Sequence, residues 1–249
     1  ATIHGLDWQR AKWGGFATKF LKFGEKTAAK YADELIVLSE GTRDYFKKTY
    51  GRETVFIPNG IDVQNEKKAD IITKKYGLEK DGYILFLARI VPEKGLHYLI
   101  DAFMQTDTDK KLVIAGGVSH SGEYAKQIHD MAKDDRIIFT GFVEGDELWE
   151  LYYNCRMYVL PSDVEGMPIS LLEAMACGCE CLVSNIDTAK NVVGEYGYTF
   201  KKSDVNDLKN KLCEMLGKPK ADKAEQIEYV KNNYSWDEIT DRTLELYKK

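Results

Sequence analysis

Residues 83–95 read Tyr83-Ile84-Leu85-Phe86-Leu87-Ala88-Arg89-Ile90-Val91-Pro92-Glu93-Lys94-Gly95. The first five are apolar without a break. A strand with one wet face alternates apolar and polar residues, so an unbroken run predicts a strand buried on both faces, the form strands take in a parallel sheet covered by helices. The run ends in a charged loop and a helix start.

Outward from this stretch the pattern repeats. Glu34-Leu35-Ile36-Val37-Leu38, Thr54-Val55-Phe56-Ile57, Lys111-Leu112-Val113-Ile114-Ala115, Arg136-Ile137-Ile138-Phe139, Met157-Tyr158-Val159-Leu160 and Cys181-Leu182-Val183 are similar runs separated by helical patterns. Such alternation predicts βαβ units and a doubly wound, Rossmann-like α/β fold with parallel strands. Ala1-Thr2-Ile3-His4-Gly5 reads as the end of a buried strand entering a functional loop, and implies further sequence before Ala1. The turn cluster Pro58-Asn59-Gly60 and the polar stretch after it predict a boundary at residue 62. Residues 1–62 form part of a second Rossmann-like domain and a linker, 63–234 a nearly complete sheet of about five or six strands, and 235–249 a C-terminal helix. Ser235 is its expected cap and Glu238 the capping-box acid.

Composition narrows the function. The chain has 249 residues, 44% hydrophobic and 30% charged, ordinary for a globular protein. A formal charge of −5 argues against nucleic acid as a partner, which calls for a basic excess on one face. Five cysteines, an odd number, favour a reducing cytoplasm. No apolar run approaches the roughly 20 residues that span a bilayer, so membrane contact is expected to be peripheral.

Two segments carry chemistry. Arg89 leaves the strand at its carboxyl edge, where open parallel sheets bind ligands, and Lys94 lies beside a helix start whose N–H groups favour anions. Together they form a diphosphate clamp, or else two solvated surface cations. The second segment is Pro161-Ser162-Asp163-Val164-Glu165-Gly166-Met167-Pro168-Ile169-Ser170-Leu171-Leu172-Glu173-Ala174-Met175-Ala176-Cys177-Gly178. Pro168 suits the first turn of a helix, and Gly166 lets a ligand approach backbone N–H groups. Glu165 then lies at the helix mouth, near a bound sugar, and Glu173 more than a turn inside, able to accept from two ribose hydroxyls. Apolar neighbours on most of that helix predict that Glu173 has a partner.

The frame EGMPISLLEAMACG, with ARIVPEKG upstream, resembles glycosyltransferase family 4, whose members are retaining enzymes of the two-Rossmann-domain GT-B architecture. The likeness extends over most of the chain. It implies that Arg89 and Lys94 bind the donor diphosphate, that Glu165 lies at the transferred sugar, and that Glu173 holds the ribose. By the same resemblance Gly141-Phe142-Val143 lines the nucleobase pocket, Gly166, Met167 and Pro168 contact the donor, and His4 stands near the sugar at the edge of the acceptor domain. Pro58-Asn59-Gly60-Ile61-Asp62 resembles the interdomain linker. Gly5-Leu6-Asp7-Trp8-Gln9-Arg10-Ala11-Lys12-Trp13 is similar to a bacterial subgroup making rhamnose-containing and capsular polysaccharides. The implied reaction moves a sugar from a UDP-, GDP- or dTDP-linked donor to a growing polysaccharide or lipid-linked glycan, with no cofactor and no metal. The alternative is a truncated, non-catalytic nucleotide-sugar-binding module.

Two departures from the family stand out: Ala88 replaces the glycine that usually precedes the diphosphate arginine, and most of an acceptor domain is not in the sequence. Asp107-Thr108-Asp109 precedes its strand, the wrong side for a carboxyl-edge metal site, and reads as a polar turn. Cys177-Gly178-Cys179-Glu180-Cys181 lacks paired ligands at zinc spacing and reads as small buried residues. His97, His120 and His129 have no partner in sequence. Trp13, Phe16, Phe20, Phe23 and Thr27 share one helix stripe, flanked by Lys12, Lys19, Lys22, Lys26 and Lys30. The stripe is either core packed on the part of the sheet that is not in the sequence, or a basic aromatic surface that meets anionic lipid or a lipid-linked acceptor.

Overall fold

A computed structural model describes residues 1–9, 14–118 and 122–248. Two parallel sheets organise it. In the smaller, β1 (Thr2–Ile3), β2 (Ile36–Val37) and β3 (Val55–Phe56) pair in chain order, joined by α1 (Gly15–Tyr31) and α2 (Glu40–Tyr50). Ala29, Leu35, Val37 and Phe46 are its buried apolar centre. Beside them the buried carboxylate of Glu25 accepts from Trp8 Nε1 at 3.0 Å and from the hydroxyls of Tyr45 at 2.7 Å and Tyr50 at 2.6 Å. This ties the loop after β1 to α1 and α2.

After α3 (Ile71–Tyr76) the larger sheet is built from β4 (Tyr83–Leu87), β5 (Lys111–Ala115), β6 (Ile137–Gly141), β7 (Met157–Leu160), β8 (Cys181–Ser184) and β9 (Tyr198–Phe200). Its order is β6-β5-β4-β7-β8-β9, all parallel. The intervening helices are α4 (Leu96–Met104), α5 (Gly122–Met131), α6 (Gly145–Asn154), α7 (Ile169–Ala176) and α8 (Asp187–Val193). The unbroken apolar runs are explained by two cores, one on each face. Leu85, Val113, Tyr158, Leu160 and Val183 face one way with α6 and α7, while Ile84, Phe86, Leu112, Ile114, Val159 and Leu182 face the other with α4 and α5. The strand β9 belongs to no apolar run of that kind, because it is a three-residue edge strand whose first two residues are only half-buried.

The last helices, α9 (Val205–Leu216), α10 (Ala224–Asn233) and α11 (Trp236–Tyr247), return the chain to the smaller sheet. Ile61 N donates to Tyr234 O at 2.7 Å, and Arg242 of α11 donates to Phe56 O at 2.6 Å. Ser235 does cap α11, but its hydroxyl accepts from Asp237 N at 3.3 Å; Glu238, the expected capping-box acid, lines a cleft instead. In the helical stripe of aromatics, Phe16, Phe20 and Phe23 are 86%, 68% and 68% exposed to the surroundings that the described residues provide. Lys12, Trp13 and His120 lie outside the described residues. No helix among the described residues is long and apolar enough to cross a membrane.

Candidate functional site

The chain leaves β4 outward to β5 and β6, then crosses back to place β7 on the other side of β4. Connections therefore diverge between the carboxyl ends of β4 and β7, which opens a crevice there. The two loops flanking it are the two segments singled out in the sequence, residues 88–95 and 161–168.

These loops interlock through glycine. Gly95 closes the one-turn 3-10 helix Pro92–Lys94 and caps α4 at φ +66°, and a Cβ on it would lie 2.1 Å from Pro161 O. Asp163 N donates to Glu93 O at 2.9 Å across the same seam. As a result Lys94 Nζ reaches Glu165 Oε1 at 2.6 Å, and Ser162 Oγ donates to that oxygen at 2.6 Å. The Lys94 and Glu165 side chains retain 14% and 6% of their exposure. Ser162 is in turn held by Ser184 of β8, whose hydroxyl donates to the Ser162 carbonyl. Arg89 is exposed and has no ion-pair partner among the described residues. A bound anion would thus meet one free guanidinium and one ammonium already shared with a carboxylate.

Pro168 occupies the cap position of α7, one residue outside the first turn expected for it. Glu173, half-buried on α7, accepts from the Tyr152 hydroxyl of α6 at 2.8 Å. Burial pushes its carboxyl above the usual range, and the Tyr152 hydrogen bond offsets this only in part. Gly141 ends β6 at φ +73°, followed by Phe142, 75% exposed, and the buried Val143. Gly116, at φ +146°, lies between them and Arg89: a Cβ there would stand 1.9 Å from Ala88 O, while its N–H donates to Gly141 O at 2.8 Å. Gly116 and Gly117 are not among the expected site residues, though a glycine pair directly after an apolar run is the signal that marks a close approach.

His4 reaches the site through its backbone. A Cβ on Gly166 would lie 2.0 Å from His4 O, so the exit of β1 packs on the loop before α7, with the exposed His4 at the rim. Asn59 N donates to Met167 Sδ at 3.1 Å, which ties residues 58–62 to the same loop. A cleft of about 390 Å³ faces Glu165 between Gly5, Gln9 and Thr42 on one side and Thr188 and Lys202 on the other. A larger one, about 600 Å³, lies behind Gly166 and Met167 against Phe56, Tyr229 and Arg242. It contains none of Arg89, Lys94 or Glu173.

The remaining candidates fall elsewhere. Asp107 to Asp109 precede β5 at the amino edge of the sheet, and Cys155, Cys177, Cys179 and Cys181 are buried free thiols, with Cys177 pushed up to about 12 by burial. Among the described residues no three His, Cys, Asp or Glu side chains converge to hold a metal ion. His97 Nδ1 lies 2.8 Å from the Tyr124 hydroxyl, and His129 packs on Phe139.

A family model described as "Glycosyl transferases group 1" matches residues 68–234, and a domain of unknown function, DUF1972, matches residues 2–62. O-antigen chain mannosyltransferase B of Escherichia coli is 27% identical over 187 residues, 71% of this chain and 48% of that protein. The chain thus spans about half of that relative's length. A GDP-mannose-dependent monoacylated alpha-(1-6)-phosphatidylinositol monomannoside mannosyltransferase of Corynebacterium glutamicum is 29% identical over 266 residues, covering 97% of this chain and 68% of that one. The structure of Anabaena Alr3699/HepE in complex with UDP and glucose superposes with a TM-score of 0.87 at 19% identity, over 99% of this chain and 70% of the other, a likeness of fold.

Proposed function

The chain belongs to the group 1 glycosyl transferases, and from that premise we propose that it works as a retaining, family 4 glycosyltransferase on a nucleoside diphosphate sugar. The observation that carries the proposal is the meeting of the two marked loops at the divergence of β4 and β7, with Lys94 and Glu165 2.6 Å apart in the crevice.

In this reading Arg89, Lys94 and the amino end of α7 receive the diphosphate, Glu173 the ribose, and Gly141 to Val143 the base. Glu165 and His4 border the sugar. The bond that breaks joins the anomeric carbon to the diphosphate oxygen. The negative charge released there is stabilised by the two cations and the helix N-terminus, with no divalent metal required. The departing oxygen takes the proton of the acceptor hydroxyl as that hydroxyl bonds to the same face of the sugar, which keeps the anomeric configuration. The acceptor is a growing bacterial surface glycan, polysaccharide or lipid-linked, of the capsular or rhamnose-containing kind. Buried free thiols suit a reducing cytoplasm.

The test is calorimetric titration with UDP, GDP, dTDP and their sugars, with a chelator present. Binding of one nucleotide series without metal supports the reading; loss of all binding under chelation overturns its metal-free part.

A further inference from the structure

The loop that carries Glu165 is fastened on both sides of that residue. Two positions before it, the Asp163 carboxylate accepts from the Tyr98 hydroxyl of α4 at 3.2 Å and from the Ser203 hydroxyl beyond β9 at 2.7 Å, while Asp163 N donates to Glu93 O at 2.9 Å. Just after it, Gly166 packs on His4 O and Met167 Sδ accepts from Asn59 N. The Ser162 hydroxyl, on a fully buried residue, donates to the same Oε1 that Lys94 Nζ reaches, and Oε2 has no hydrogen-bond partner among the described residues. Lys94 is the adaptable member of the pair. Its ammonium ends a flexible stem, and its side chain retains 14% of its exposure against 6% for Glu165. Arg89, exposed and without an ion-pair partner among the described residues, is the cation that a diphosphate meets without competition.

We propose that Glu165 makes the site select the sugar-bearing donor over the bare nucleoside diphosphate by competing for Lys94, an inference that rests on the donor reading of the crevice. A bare diphosphate that draws Lys94 to itself leaves a carboxylate at 6% exposure without its cation, and that cost opposes binding. A donor offsets the cost, because hydroxyls of its sugar donate to Glu165, first at the unpartnered Oε2, and loosen its hold on the ammonium. The diphosphate of a donor is then held by both Arg89 and Lys94. Once the sugar has passed to the acceptor, those hydroxyl donors go with it. Glu165 reclaims Lys94, the diphosphate keeps only Arg89 and the amino end of α7, and the product leaves.

The experiment is a double-mutant cycle read by calorimetric titration of the intact protein, Lys94→Ala, Glu165→Gln and the double variant. The probes are UDP, GDP and dTDP, and UDP-glucose, GDP-mannose and dTDP-rhamnose. With Lys94 present, Glu165→Gln is expected to tighten the bare nucleotide about tenfold and to weaken its sugar form, so that the preference for the donor shrinks. With Lys94→Ala, the same change is expected to leave the bare nucleotide nearly where it was. Equal effects of Glu165→Gln in the two backgrounds, or a bare nucleotide no tighter than in wild type, overturn the competition while leaving the donor reading in place. Absence of nucleotide binding in every protein overturns the donor reading and the proposal with it. Ser162→Ala keeps both charges and removes a hydroxyl that shares Oε1 with Lys94, so it tests the same point without breaking the pair. It is expected to weaken the bare nucleotide about threefold at an unchanged Tm, and a tightening overturns the proposal.

Discussion

Lys94 and Glu165 are 71 residues apart in the chain and meet at 2.6 Å, one from the loop after β4 and the other from the loop after β7. The contact joins the two sides of the crevice, and it makes the diphosphate cation and the sugar carboxylate a single electrostatic unit. Removing one member of a largely buried pair leaves the other without compensation, so Lys94→Ala is expected to cost about 3 kcal/mol of stability. It should also weaken nucleoside diphosphate binding by about 1.5–3 kcal/mol. Chemical denaturation and calorimetry read the two losses separately. Adding Glu165→Gln should restore most of the stability and none of the binding.

The two glutamates separate by ligand. Glu173→Gln is expected to weaken nucleotide and nucleotide-sugar binding alike. Glu165→Gln frees the Lys94 ammonium for the diphosphate, so it should not weaken the bare nucleotide and should weaken only the sugar-bearing donor. Equal weakening of the bare nucleotide by both changes would falsify the assignment of roles.

Glu173 also sets a pH dependence. Burial raises its carboxyl above the ordinary glutamate range, so the folded chain holds this proton more tightly than the unfolded one. The stability it contributes is present at low pH and is lost as pH rises through the raised folded value. Nucleotide affinity should move oppositely, since accepting from ribose hydroxyls favours the ionised form. Thermal-shift curves across this window, with and without nucleotide, should diverge as pH rises, and Glu173→Gln should flatten both trends.

Gly166 and Gly24 provide a matched pair of glycine tests. A Cβ on Gly166 would lie 2.0 Å from His4 O, whereas one on Gly24, within α1, meets nothing within 4 Å. Gly166→Ala must push the β1 exit off the α7 loop, and a loss of more than about 1 kcal/mol is expected. Gly24→Ala should stabilise by about 0.5–1 kcal/mol through helix propensity. Denaturant midpoints of the two variants provide the comparison.

The unbroken runs Tyr83 to Leu87 and Lys111 to Ala115 determined the parallel α/β class by themselves, because burial on both faces of a sheet leaves no place for alternation. The loops holding Arg89, Lys94 and Glu165, and the helix that carries Glu173, were legible as candidates for a similar local reason: each segment follows an apolar run, at the carboxyl edge where a ligand site is expected. Strand β9 and the aromatic side of α1 were not. A three-residue edge strand lacks a periodic signature, and the spacing of Phe16, Phe20 and Phe23 gives a helix face without saying whether protein covers it. Only the tertiary structure decided that Lys94 pairs with Glu165, that Tyr152 serves Glu173, and that the His4 backbone rests on Gly166. Those relationships depend on the crossover from β6 to β7 and on the return of α11 to the smaller sheet. Contacts across dozens of residues are set by the packing of whole elements, and no local pattern encodes them.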